Sequence, residues 1–177
     1  GGEPVRPCLL WMDVRAHREA TDVLATDDPA LRINGGGAGP VSPEWMLPKA
    51  LWIKRNQPEI WTRAGKIGEY QDFLTLRLTG RWVASLNNMT MRWHFQTRHT
   101  RWPDDLLGKL DLLDLRDKWP TEFAAPGDVI GPLTAEASAH LGLPQTCQVV
   151  QGGADAFIGM IGLGVTQPGD LALITGS

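Results

Sequence analysis

The last thirty residues constrain the fold more than any other stretch. Gln148-Val149-Val150-Gln151 reads as a buried strand, Gly152-Gly153 as a tight turn, and Ala154 to Gly164 as a helix of small and apolar residues. Pro168-Gly169-Asp170 turns the chain into a second buried strand, Leu171-Ala172-Leu173-Ile174, which ends in Thr175-Gly176-Ser177. Strand, glycine turn, helix and strand in that order are the grammar of α/β nucleotide enzymes. An α/β fold is therefore expected.

That grammar gives Asp155 a special place. A carboxylate just after a strand and a Gly-Gly turn sits at the mouth of a sheet, where open α/β folds bind ligands. The helix dipole favours a negative charge there. Beside a bound hydroxyl, such a carboxylate can take the proton as phosphoryl transfer begins, a contribution of ~10²–10⁴-fold for a general base. Asp is also a preferred helix N-cap, so the local sequence leaves both roles open. Thr175-Gly176-Ser177 is similarly two-sided: its hydroxyls and N–H groups can hold phosphate oxygens, or it is a plain turn.

A third constellation lies near the start. Cys8 to Met12 is a short apolar run read as a buried strand, whose end presents Trp11, Asp13 and Arg15. An indole face with a fixed carboxylate or guanidinium suits a polyol, through stacking on C–H faces and paired hydrogen bonds to hydroxyls. A buried Trp beside a local Asp–Arg pair is the structural alternative.

Other signals carry less chemistry. The glycine run from Asn34 to Pro40 has neither a GxxxxGK[ST] nor a GxGxxG frame and reads as a loop. His94 and His99 have no third ligand nearby, so no metal site is expected. A GxSxG nucleophile elbow is absent. Helices are expected over Ala16–Leu24, from Ser42 (as N-cap) to Arg55, Pro58–Ala64, Tyr70–Leu78, Asn87–Phe95, within Trp102–Leu115 and over Leu133–Leu141. Short strands are expected at Trp82–Ala84 and Val129–Gly131, the latter inside connecting structure from Trp119 to Pro132.

Composition sets the outer limits. A length of 177 residues, 42% of them hydrophobic and 21% charged, suits one domain, or one domain plus part of a second. A net charge of -3 argues against general binding of nucleic acid or anionic lipid. No apolar run approaches the ~20 residues of a membrane span, and Gly1-Gly2-Glu3-Pro4 lacks the pattern of a signal peptide. Cys8 and Cys147 lie far apart and form neither a disulfide framework nor a CxxC pair, so a reduced cytoplasmic setting is expected. Eight Trp stand against one Tyr and four Phe, and apart from Trp11 they fall mostly among apolar neighbours at helical spacing, as core residues do.

Together the segments resemble the FGGY family of carbohydrate kinases, of the actin-like, ribonuclease H-fold ATPase superfamily. Leu10-Trp11-Met12-Asp13-Val14-Arg15-Ala16 is similar to the family's sugar-site strand end, and Pro43 to Trp52 to its PKLLWLK-type helix. Gln71 to Gly80 resembles its D-(Y/F)-L-x-x-x-L-T-G helix, and Gly131 to Ala137 its G-x-L-(T/S)-x-E-A segment. Gly152 to Ala156 resembles the GGGD-A motif with the family's catalytic Asp, and Ile174 to Ser177 the start of its second phosphate loop. Glu69–Asp72 and Asn87–His94 look more like the pentulose branch than like glycerol kinases.

The resemblance implies a partial ribonuclease H-like, actin-like fold, with residues 1–146 in the sugar-binding domain and 147–177 opening the ATPase domain. The family's first phosphate loop is expected before residue 1, and its adenosine-binding segment after residue 177. The implied activity is ATP-dependent phosphorylation of a sugar or polyol hydroxyl, on a pentulose such as ribulose, with Asp155 as general base. Trp11, Asp13 and Arg15, with Glu44 from the next helix, are implied to hold the sugar. Gly152, Gly153, Thr175, Gly176 and Ser177 are implied to face the nucleotide, with Mg²⁺ as its partner ion. A homodimer is left open. Alternatives are a non-catalytic sugar-binding or regulatory relative, and a glycerol or xylulose kinase of the same family.

Overall fold

The computed structural model describes residues 2–33, 41–173 and 175. The glycine run at 34–40, together with Ile174, Gly176 and Ser177, lies outside the described residues.

Helix α1 (His17–Ala25) lies against α3 (Met46–Asn56), with the one-turn α2 (Ala30–Ile33) between them in sequence. The expected helix from Ser42 begins a turn later, at Met46. Ser42 instead uses its Oγ to accept the Glu44 N–H at 3.2 Å, and Trp45 is the extended residue that enters the helix. Pro48 is tolerated there because it falls in the first turn, where an N–H has no intrahelical partner anyway. Helix α4 (Pro58–Arg63) follows with Pro at its first position, the favoured place for that residue.

Helix α5 (Tyr70–Thr79) opens with the Asp72 side chain turned back to the Glu69 N–H and closes on Gly80 in the left-handed region. Strand β1 (Val83–Ser85) runs straight into α6 (Leu86–Arg92). The single helix expected within Trp102–Leu115 is two pieces, α7 (Asp104–Lys109) and a 3₁₀ segment, Leu113–Asp117. Asp111, in the left-handed region at φ 54°, separates them.

One strand was hidden in expected connecting structure. Strand β2 (Glu122–Ala124) pairs in parallel with β1, Val83 opposite Glu122 and Ser85 opposite Ala124. Strand β3 (Val129–Pro132) leads through Thr134, whose side chain caps α8 (Ala135–Leu141). Strand β4 (Gln148–Val150) pairs antiparallel with β3, and α9 (Asp155–Gly162) ends the described elements.

Two buried strands were expected, at Cys8–Met12 and Leu171–Ile174, and neither forms among the described residues, outside which Ile174 lies. Residues 8–12 are outside any strand, and Leu10, Trp11 and Met12 are about 60% exposed. Leu171 and Leu173 are exposed at 90% and 83% and also form no strand. An apolar run becomes a buried strand only where other strands pair with it and a layer covers its face. Among the described residues neither segment has such a partner. The expected buried strand at Gln148 is real but exposed, with only Val149 half-buried.

The core is helical and aromatic. Leu47, Leu51, Met89, Leu106, Leu107, Leu112 and Leu115 are almost completely buried together with Trp93, Phe95 and Trp119. Three indoles stack: Trp93 on Trp119 at 5.1 Å and Trp102 on Trp119 at 4.8 Å, with the Arg116 guanidinium 4.8 Å from the Trp102 ring. Trp11 alone of the eight is exposed.

Candidate functional site

The site builds outward from one buried cation. Lys49 lies in the apolar stripe of α3, three residues after Met46 and four before Ile53, so its helical position turns it inward. Its Nζ donates to the Leu10 carbonyl at 2.6 Å, across thirty-nine residues of chain. Burial pulls the Lys49 pKa down, and the carboxylates of Asp13, Glu69 and Glu44 oppose that, while Arg92 adds to it. Three acidic side chains and an arginine therefore share its field.

The segment that Lys49 holds carries three of the expected sugar-site residues. Asp13 accepts the Arg15 backbone N–H at 3.0 Å, and its two oxygens accept Arg15 Nε at 2.9 Å and Nη2 at 2.8 Å. This fork holds the Asp13 carboxyl below the usual carboxylate range. The guanidinium also lies 4.9 Å from the Trp52 ring, which fixes its plane. Trp11 presents an open indole, 62% exposed. The local Asp–Arg pair is thus present, but the buried Trp that would accompany a purely structural role is not.

Glu44 is half-buried just ahead of α3. Glu69 faces the same cluster, accepting Trp93 Nε1 at 3.0 Å and Arg92 at 3.4 Å. Sequence reasoning missed Lys49, Glu69 and Arg92 as parts of a site. The only available signal was Lys49 itself, a charge in the middle of an apolar helical stripe.

A second polar group supports the Gly152-Gly153 turn. Asp72 is fully buried; its Oδ2 accepts the Glu69 N–H at 2.9 Å and its Oδ1 the Ser85 N–H at 3.1 Å. Burial pushes Asp72 up to about 7 despite these two bonds, which pull the other way. Ser85 Oγ then donates to the Gly152 carbonyl at 3.2 Å, and Asn87 Oδ1 accepts the Ala154 N–H at 2.9 Å. A Cβ on Gly153 would stand 3.0 Å from Asn87 Oδ1, and one on Gly152 would stand 3.2 Å from Gln71 Nε2. Side chains from the α5 and α6 region press on the turn, so a Cβ at either glycine requires its neighbour to give by a few tenths of an ångström.

Asp155 follows this turn as the first residue of α9, with Ala154 as the N-cap. The expected capping alternative is therefore not realised by Asp155. Its carboxylate is exposed, and among the described residues Oδ1 accepts one N–H, that of the neighbouring Ala156 at 2.8 Å. The same helix leaves Phe157, Ile158 and Ile161 exposed, and none of its residues is buried.

Residues 1–162 match the N-terminal domain of the FGGY family of carbohydrate kinases. The chain belongs to this family. It is 34% identical over 170 residues to an FGGY carbohydrate kinase domain-containing protein of Xenopus laevis, covering 93% of this chain and 30% of that protein. It is 30% identical to the xylulose kinase of Escherichia coli K12, over 98% of this chain and 34% of that enzyme. The crystal structure of a xyloylose kinase from Brucella ovis superimposes with a TM-score of 0.77 at 31% identity, over 93% of this chain and 32% of that one. This FGGY chain thus spans about a third of the length of the relatives it matches, and its fold is the family's α/β, ribonuclease H-like fold, present in part.

The family implies a nucleotide, and of the residues expected to face it Gly152, Gly153 and Thr175 are among the described residues. No group of three His, Cys, Asp or Glu converges as metal ligands among the described residues. Thr175 is exposed and in no strand, and Gly176 and Ser177 lie outside the described residues. Among the described residues, no helix is long and apolar enough to cross a membrane.

Proposed function

We propose that the full-length polypeptide phosphorylates a hydroxyl of a sugar or polyol, a pentulose above all, with Asp155 as general base. In this reading the substrate oxygen attacks a phosphoryl group while its proton passes to an Asp155 oxygen, and the bond from phosphorus to the leaving phosphate oxygen breaks. Trp11, Asp13, Arg15 and Glu44 hold the sugar, the indole stacking on its C–H face and the charged groups meeting its hydroxyls. The observation that carries the reading is an exposed carboxylate at the first position of a helix whose entry turn is fastened by side chains. A general base must be open to substrate yet fixed in place. The pentulose preference draws support from the xylulose kinases among the relatives.

The division into a sugar-binding part, residues 1–146, and the opening of a second domain from 147 belongs to the same proposal. In it the second part starts docked on the first, through the β3–β4 pairing and the Gly152 and Ala154 hydrogen bonds.

The test is Asp155→Asn in the full-length polypeptide, scored by ADP release on a pentulose panel and by sugar binding. Turnover is expected to fall by ~10²–10⁴-fold, with sugar affinity within about twofold, since a base lost from the transition state leaves ground-state binding alone. Near-native turnover sinks the assignment. A protein that binds the sugar but shows no turnover with either side chain at 155 favours the non-catalytic relative.

A further inference from the structure

We propose that Asn87 and Ser85 are the positioning residues for Asp155, gripping its entry turn from the two sides so that the carboxylate meets the substrate hydroxyl at one fixed place. The inference rests on Asp155 being the base and adds the groups that aim it.

Three observations bear on it. First, the turn is held by two side-chain bonds at alternate residues, the Gly152 carbonyl by Ser85 Oγ at 3.2 Å and the Ala154 N–H by Asn87 Oδ1 at 2.9 Å. A turn of two glycines has wide backbone freedom, and two such bonds flanking Gly153 remove most of it. Second, the fit is tight: a Cβ on Gly153 would come within 3.0 Å of Asn87 Oδ1. The amide therefore lies against the peptide itself. Third, the gripping residues are themselves fixed. Ser85 is fully buried and its N–H is held by buried Asp72, while Asn87 stands in the first turn of α6, directly after β1. Among the described residues the Asp155 carboxylate has no comparable support of its own, its one hydrogen bond there being to the next residue. Its aim is set by the turn.

Misplacing a reacting group by about 1 Å can cost ~10²-fold in rate. The experiment is Asn87→Ala in the full-length polypeptide, read as kcat on a pentulose, as sugar dissociation constant, and in combination with Asp155→Asn. The expected result is a loss in kcat of about tenfold or more, with the sugar dissociation constant within about twofold. On the Asp155→Asn background the same substitution is expected to cost nothing further, because a positioning residue acts only through the group it aims. A general structural role would multiply the two losses instead. Turnover within about twofold of wild type, or losses that multiply, overturns the proposal. If Asn87→Ala does not melt as a folded protein, Ser85→Ala is read the same way, since it frees the same turn from its other side. A folded Ser85→Ala with native turnover overturns the proposal equally. The two readings fail separately: an active Asp155→Asn removes the base, whereas an inactive Asp155→Asn with a fully active Asn87→Ala removes only the positioning.

Discussion

Two buried ionisable side chains give this chain opposing responses to pH. Asp72 is raised to about 7 from an ordinary value of 3.8, so the folded state keeps a proton that the unfolded chain releases. Its contribution to stability is full below about 4 and is lost as pH rises through about 7. His94 is lowered to about 4 from 6.5 by burial, against the edge of Trp45 at 5.8 Å. Its contribution is full above 6.5 and is lost as pH falls through about 4. Each group has a limiting slope of about 1.4 kcal/mol per pH unit, and the signs are opposite. Between about 4 and 6.5 they cancel, so the wild-type stability is expected to be nearly flat there. Asp72→Asn removes one of the two: it lowers stability overall, because an amide offers one acceptor to two N–H donors, and it leaves a stability that climbs with pH. Urea denaturation at pH 4.5, 5.5 and 6.5 measures the slope. A variant whose profile stays flat contradicts the buried proton on Asp72.

At the level of elements, sequence signals worked where a local cause decides the structure. The end of α8 illustrates this, closing on Gly142 in the left-handed region, whereas its start lies after the expected Leu133, behind Thr134, whose Oγ1 accepts the Ala137 N–H at 3.1 Å. Thr134→Ala is expected to lower stability by about 1 kcal/mol, and Thr134→Ser to retain most of it, as measured by chemical denaturation. Gly80 after α5 and Pro58 at the start of α4 are legible for the same reason. The strands were harder. Glu122-Phe123-Ala124 carries no period-two pattern, and only its parallel pairing with β1, thirty-nine residues earlier, makes it a strand. The apolar runs at 8–12 and 171–173 show the reverse, a strand-like composition with no strand beside it among the described residues. The site divides along the same line. Asp155 and the Trp11–Arg15 segment stand out because their chemistry follows a turn or an apolar run. Lys49 was legible only as a helix member, Glu69 only within a segment resembling the pentulose branch, Asn87 only within another that also opens an expected helix, and Ser85 fell just beyond the expected strand. Their roles arise from contacts across 39, 24 and 67 residues of chain.

The whole molecule is organised around two different kinds of cohesion. The interior is held by the indole stack and the leucines around it, whereas the N-terminal segment is joined to that interior by Lys49 and by Arg15 lying against Trp52. Lys49→Met keeps the length and apolar stem of the side chain but releases the Leu10 carbonyl. The expected effect is local: trypsin cleaves after Arg15 several-fold faster, while the unfolding midpoint of the helical body shifts little. Unchanged cleavage means that the Arg15 contacts alone suffice. The manner of attachment matters beyond stability. The ammonium of Lys49 holds a main-chain oxygen, a group that every amino acid supplies at that position. The path of the segment at Leu10 is therefore set independently of which side chain stands there, whereas at Arg15 it depends on the guanidinium lying against Trp52.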